Sequence, residues 1–308
     1  MPAAFTGLIG YKPTYGPVCR VSRFGLVAYG SSLDQIGPLA TSVEDAALMM
    51  EVIGQSCERD STSIPRGSES ILPLLGKSIS GLRVGVPYHA IESLAEEPKK
   101  AFEKGLERLQ SLGATVVPIE LSMIKYSIPV YYILATAEAS TNLARFDGIR
   151  YGVRSKQAKS LKEVYRLSKE EGFGAEVKRR ILLGTFVLSA GYQDAYYKKA
   201  QKVRTLMLNE FEGCFKTCDT IAMPVSPFAA FEADSIKDPI QMYLEDIYTI
   251  LSNLVGCPSI SVPNGFTKEG MPLGFQLLAR QHEDARLLSV AHAFHSAGEK
   301  CQIPESYR

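Results

Sequence analysis

Leu82-Arg83-Val84-Gly85-Val86-Pro87, the segment 97–112, and Ala114-Thr115-Val116-Val117-Pro118-Ile119 decide the fold. The two outer runs are short, apolar and rich in valine, bounded by glycine or proline, as a buried strand requires. The segment between them carries Phe102, Leu106 and Leu109 at helical spacing, with charges on the other side and Gly113 as its stop. A strand, a helix and a second strand of this length close as a right-handed crossover, so the two strands are expected to pair in parallel.

Working upstream, Thr41-Ser42-Val43-Glu44 reads as a capping box with Thr41 as the cap. Val43, Ala46, Ala47, Met50 and Ile53 form the apolar stripe of the helix that follows, and Gly54 is its expected C′ residue. Residues 1–40 are punctuated by Gly7, Gly10, Gly16, Gly25, Gly30 and Gly37 around Leu8-Ile9, Val18 and Leu26-Val27-Ala28, which reads as short strands and tight loops. No glycine triplet opens a helix after a strand, so a dinucleotide fingerprint is absent. Residues 55–70 read as a polar loop.

Downstream, 127–217 is expected to be mainly helical, with breaks at Gly148, Gly152, Gly172 and Gly174. Ile221-Ala222-Met223-Pro224 is a short strand, 224–239 a long loop, and 241–255 a helix. Ser259-Ile260-Ser261-Val262-Pro263 and Leu273-Gly274-Phe275-Gln276-Leu277-Leu278 are strands, and 283–297 a closing helix before Gly298. The expectation is one α/β domain over residues 1–308, a mixed central sheet flanked by helices, with a mainly helical layer at about 127–217 rather than an independent domain.

The composition is ordinary for a soluble globular chain: 308 residues, 45% hydrophobic and 22% charged. No signal peptide or membrane span is legible, and a cytoplasmic location is the default. With 34 basic against 33 acidic residues there is no overall basic excess of the kind a dedicated nucleic-acid binder shows. Lys198, Lys199, Lys202 and Arg204 spread around a helix and read as a solvated face. Cys214 and Cys218 share a helix face, but no second pair completes a zinc site, so the six cysteines, Cys19 and Cys301 included, read as free thiols without disulfides. His292 and His295 lack a metal-binding pattern and read as helix-surface or core residues.

Several runs carry a resemblance over the whole length. They include Met1-Pro2-Ala3-Ala4-Phe5-Thr6-Gly7, Ser31-Ser32-Leu33-Asp34-Gln35-Ile36-Gly37-Pro38, Asp60-Ser61-Thr62-Ser63, Glu138-Ala139-Ser140-Thr141-Asn142-Leu143, Arg145-Phe146-Asp147-Gly148-Ile149-Arg150-Tyr151-Gly152, Glu176-Val177-Lys178-Arg179-Arg180-Ile181 and Pro272-Leu273-Gly274-Phe275-Gln276. In this order they resemble the amidase signature family, and most closely its branch of glutamyl-tRNA(Gln) amidotransferase A subunits. The resemblance implies a single amidase-signature domain that cleaves the amide of glutamine and supplies ammonia for transamidation of Glu-tRNA(Gln). It implies the B and C subunits of that amidotransferase as partners, with Glu-tRNA(Gln) held through the B subunit. It also implies ATP and magnesium used by the partner, and no cofactor or metal bound by this chain.

The family's nucleophile lies in a Gly-Gly-Ser-Ile-Arg-x-Pro-Ala run, of which only x-Pro2-Ala3 is present. The resemblance therefore places the serine nucleophile, the serine in a cis peptide and the lysine base upstream of Met1. The chain is expected to be a C-terminal portion, truncated at its N-terminus and inactive alone. A triad of Ser31, Ser32 and Lys12 does not match the family spacing and lacks the glycines that would expose a nucleophile. Asp34 is expected to hold a turn.

Free glutamine carries an α-carboxylate and an α-ammonium, and its site needs a fixed cation and an acid. The resemblance points to an arginine in Lys178-Arg179-Arg180, an aspartate in Glu245-Asp246, and a tyrosine in Tyr131-Tyr132. On a 241–255 helix, Tyr243, Ile247, Ile250 and Leu254 form the core stripe, Asp246 lies beside it, and Glu245 lies with Tyr248 on the wetter side, which favours Asp246. Arg180 shares its face with Gly184, whose missing side chain would leave room for ligand, which favours Arg180 over Arg179. Tyr131 is preferred to Tyr132 on the resemblance alone. The plainer alternatives are a structural ion pair for Arg180 and Asp246 and core packing for Tyr131. For the whole chain the alternatives are another amide hydrolase of the same family or a non-catalytic assembly fragment. A site for a zwitterion separates the first from glutamine handling, because an apolar amide would leave both charges unpaired.

Overall fold

A computed structural model describes residues 1–16, 21–63, 70–92, 94–232, 235 and 244–298. The expected crossover is present. Strand β3 (Arg83–Val86) pairs in parallel with β4 (Thr115–Pro118), and helix α3 (Glu96–Ser111) joins them. Glu96 and Glu97 occupy its first turn, where the helix dipole favours acids. Gly113 follows its end with φ +89, a left-handed conformation that costs glycine nothing. Phe102, Leu106 and Leu109 are buried, worth about 1.5–3 kcal/mol each. Phe102 stacks on Phe275 at 5.1 Å between ring centres, and Phe275 stacks on Phe294 at 4.7 Å.

Among the described residues, seven strands form one mixed sheet in the order β2-β1-β6-β7-β5-β3-β4. The others are β1 (Ile9–Lys12), β2 (Leu39–Ala40), β5 (Thr220–Pro224), β6 (Ser259–Phe266) and β7 (Pro272–Leu278). Only the β4-β3-β5 end is parallel; β5 to β7, β7 to β6, β6 to β1 and β1 to β2 are antiparallel. Among the described residues the other α-helices include α1 (Pro2–Phe5), α2 (Val43–Ile53), α4 (Ser127–Asn142), α5 (Leu161–Gly172), α6 (Ala175–Val187), α7 (Lys199–Cys214), α8 (Ile250–Leu254) and α9 (Asp284–Ser296). The expected α/β class with a mixed sheet and flanking helices therefore holds.

Several local expectations change. Pro2–Phe5 is a helical turn rather than part of a strand or loop, since proline's fixed φ suits a first helical position. Leu26-Val27-Ala28 forms no strand. The cap of α2 is Ser42, not Thr41: its Oγ accepts from the Asp45 amide at 3.0 Å and donates to the Asp45 carboxylate at 2.8 Å. Gly54 is the C-cap itself, at φ −81. Within the expected 241–255 helix, residues 245–249 lie in turns and regular helix covers Ile250–Leu254; Gln241, Met242 and Tyr243 lie outside the described residues, as do Val18, Cys19, Cys301 and part of the 224–239 loop.

The chain divides into two compact units, one of Met1–Phe24, Gln35–Ile128 and Leu206–Arg308, the other of Gly25–Asp34 and Pro129–Thr205. The sheet belongs to the first. The second is helical, and most of the layer read from the sequence at 127–217 falls in it.

Candidate functional site

In the helical unit, Glu176 sits in the first turn of α6 and serves two arginines. Arg179 binds it with both prongs, Nε to Oε2 at 2.8 Å and Nη2 to Oε1 at 2.8 Å, and Arg180 donates from Nε to Oε1 at 2.7 Å. These hydrogen bonds pull the Glu176 carboxyl down to about 2. Burial works against the charge of Arg180, but the bonds to Glu176 and to the Tyr29 phenol outweigh it, so its pKa is raised. Arg180 Nη1 donates to the Tyr29 hydroxyl at 2.7 Å, and the guanidinium lies 5.6 Å from the centre of that ring. Nη2 has no partner among the described residues. Arg180 thus presents one open donor edge on a fixed frame, the form that suits a carboxylate.

Tyr131, on α4, lies within electrostatic reach of Arg180, and its ring meets Tyr132 edge-on at 5.2 Å. Both tyrosines are half-buried. Arg180 is the less exposed of the two arginines, 26% against 45%. The room for ligand expected beside Gly184 is not there, however. Gly184 is buried, and a Cβ there would meet the Thr136 carbonyl oxygen at 1.9 Å. Its missing side chain lets α6 approach α4 instead.

The 25–34 segment is tied down by polar contacts that sequence reasoning missed. Ser32 donates from Oγ to Glu138 Oε1 at 2.6 Å and from its amide to Oε2 at 2.8 Å. Arg204 donates to Ser32 Oγ at 2.8 Å and to its carbonyl at 3.2 Å. Asn142 Nδ2 donates to the Tyr29 carbonyl and to Ser31 Oγ, both at 2.9 Å. Asp34 accepts from the amides of Tyr29 at 2.9 Å and Gly30 at 3.0 Å, the turn-holding role expected of it. Ser31 and Ser32 are therefore held as loop anchors. No local signal could have found Glu138, which lies 106 residues from Ser32.

Asp246 belongs to the sheet unit. Its carbonyl accepts from the amides of Thr249 at 3.0 Å and Ile250 at 2.9 Å, and its carboxylate from Thr249 Oγ1 at 3.3 Å. The faces expected for this segment hold in part: Ile250 and Leu254 are buried and Asp246 is half-buried, as expected, but Glu245 at 5% exposure and Tyr248 at 2% are buried rather than on a wetter side, and Ile247 is only half-buried. A helical wheel fails because 245–249 is not regular helix. Burial first, and the Asp246 charge second, push the Glu245 carboxyl up. Its Oε1 is buried without a hydrogen-bond partner among the described residues. Lys12, also in this unit, donates from its ammonium to the Pro13 carbonyl at 3.0 Å.

His292 lies between Gly76, whose amide donates to Nδ1 at 3.1 Å, and Glu44, 2.7 Å from Nε2; His295 is buried. Cys57, Cys214, Cys218 and Cys257 are free thiols. Among the described residues no group of three metal-binding side chains converges, and no helix is long and apolar enough to cross a membrane.

The amidase family model matches residues 1–288. The chain is 64% identical to the glutamyl-tRNA(Gln) amidotransferase A subunit of Protochlamydia amoebophila, over 99% of this chain and 62% of that protein. It is 49% identical to the protein of the same name from Brevibacillus brevis, over 100% of this chain and 63% of that one. The crystal structure of the glutamyl-tRNA(Gln) amidotransferase A subunit from Thermotoga maritima superposes with a TM-score of 0.78 at 40% identity, covering 96% of this chain and 59% of that chain. The chain thus spans about three-fifths of the length of the curated relatives it matches.

Proposed function

The chain belongs to the amidase family, and from that membership we propose that it is the glutamine-handling part of a glutamyl-tRNA(Gln) amidotransferase A subunit. In this reading the amide of glutamine is hydrolysed and its ammonia passes to Glu-tRNA(Gln). The B and C subunits are the partners, the tRNA is held through the B subunit, and ATP with magnesium is used by the partner rather than by this chain. The cytoplasm, where tRNA is charged, is its proposed location.

The observation that carries the reading is the open edge of Arg180, fixed by Glu176 and Tyr29. It would take the α-carboxylate of glutamine. Tyr131, in the same helical unit, would line the same place. The role proposed for these residues is recognition, not bond cleavage.

Titration calorimetry with L-glutamine tests it. Arg180→Ala should weaken binding about 100-fold, the order expected when one partner of a desolvated charge pair is removed. Unchanged affinity in that variant defeats the assignment, and tighter binding of an apolar amide than of glutamine favours a different amide hydrolase.

A further inference from the structure

Resting on the amidotransferase reading, we propose that residues 148–162 of the helical unit form a docking platform for RNA, a contact additional to the hold through the B subunit. The chain as a whole is nearly neutral, at net +1. Yet Arg150, Arg154, Lys156, Lys159 and Lys162 fall within these fifteen positions, and no aspartate or glutamate lies among them. All five side chains are exposed. None makes an ion pair or side-chain hydrogen bond with another described residue, which sets them apart from Arg179, Arg180 and Lys198 nearby.

The neighbouring acids are used to shape the loop instead of neutralising it. Asp147 Oδ1 accepts from the Ile149 amide at 2.9 Å, and Glu163 Oε2 from the Lys159 amide at 2.7 Å. Glu171 Oε1 accepts from Ser155 Oγ at 2.6 Å, and Ser168 Oγ from the Ser155 amide at 3.1 Å. Ser160 caps α5 by accepting from the Glu163 amide at 3.3 Å. The backbone is therefore anchored while the cations stay open. Five like charges within a short anchored loop repel one another, and a polyanion relieves that repulsion by releasing its own counterions.

Aromatic rings decide between polyanions. Tyr151, 57% exposed, lies between Arg150 and Arg154, and Tyr165, 41% exposed, stands one turn after Lys162 on α5. Exposed rings alternating with unpaired cations suit unpaired bases and phosphates together. An anionic membrane would call for a continuous apolar helix face beside the charges, and residues 148–160 are not helical.

Filter binding of a tRNA(Gln) transcript to the intact protein over a salt series tests the platform. Replacing Arg150, Arg154 and Lys156 together by alanine should weaken binding at least tenfold near 0.1 M salt. It should also flatten the log–log salt slope by about 2 to 3, since each phosphate contact contributes about 0.7 to 0.9. Tyr151→Ala should weaken binding about tenfold and leave the slope intact, as loss of stacking does. Alanine at Lys99, Lys104 and Lys268, exposed lysines of the sheet unit, is the control of equal charge. The proposal is overturned if the first variant keeps its affinity and slope, if the control loses as much, or if phosphatidylserine vesicles are bound in place of the transcript. Glutamine titration of the same variants should be unchanged, so failure here is separable from failure of the Arg180 assignment.

Discussion

The Tyr29 hydroxyl accepts a hydrogen bond from Arg180 Nη1 at 2.7 Å while its ring lies 5.6 Å from the same guanidinium. One side chain thus fixes the arginine by its tip and by its face. Removing the hydroxyl keeps the face and frees the tip. Tyr29→Phe should weaken L-glutamine binding about tenfold, the scale of a hydrogen bond to a charged group. It should leave binding of the α-carboxamide analogue of glutamine unchanged. Equal losses for both ligands in calorimetry would mean that Tyr29 merely supports the fold.

Glu176 gives a pH dependence with a definite sign. Its carboxyl is pulled below its unfolded value to about 2 by Arg179 and Arg180. Its contribution to stability is full above the unfolded value, near 4.5, and fades as pH falls from there toward about 2. Glu176 is partly exposed, so the contribution is small. Glu176→Gln should melt below the native protein at pH 7, and that gap should close between pH 4.5 and 2. A gap that widens on acidification contradicts the arrangement.

Glu138 answers both the amide and the hydroxyl of Ser32. Glu138→Ala would leave both donors unmatched, at a cost of about 1–3 kcal/mol. Hydrogen exchange reads this directly: the Ser32 amide should lose protection, while amides of β6 and β7 keep theirs.

Gly184→Ala drives a methyl to within 1.9 Å of the Thr136 carbonyl oxygen, which cannot be met by a side-chain adjustment. The helices must separate, with a loss of about 3 kcal/mol or more. Thermal melting should fall by several degrees, and a Gly184→Ala protein as stable as the native one would remove the close crossing.

Thiol reactivity should rank the cysteines. Burial pushes Cys214 up to about 11 and Cys257 and Cys218 up to about 12. Cys57 is lowered, chiefly by its hydrogen bond with Ser22. Iodoacetamide near neutral to mildly alkaline pH, followed by peptide mapping, should label Cys57 well before the other three.

What the sequence disclosed follows from range. The crossover through α3 was legible because two valine runs and one amphipathic helix are local patterns, each readable within sixteen residues. Neither the cap of α2 nor the faces of 245–249 could be read as well. Two adjacent hydroxyls compete for the cap, and a helical wheel presumes a helix that the chain does not form there. Gly184 was misread because a missing side chain looks alike whether a ligand or a carbonyl fills the space. The ties of Tyr29, Ser31 and Ser32 span more than 100 residues and leave no trace in local composition.

The helical unit is sewn from two pieces, Gly25–Asp34 and Pro129–Thr205, with Gln35–Ile128 of the sheet unit between them. On the ribosome the first piece emerges long before the second. Ser32 precedes Glu138 by 106 residues, which at about 5–20 residues per second is a delay of roughly 5–20 seconds. Throughout that interval the 25–34 segment is a nascent strap with nothing to fasten it. Whatever delays translation across 35–128 also delays completion of the frame that aims Arg180.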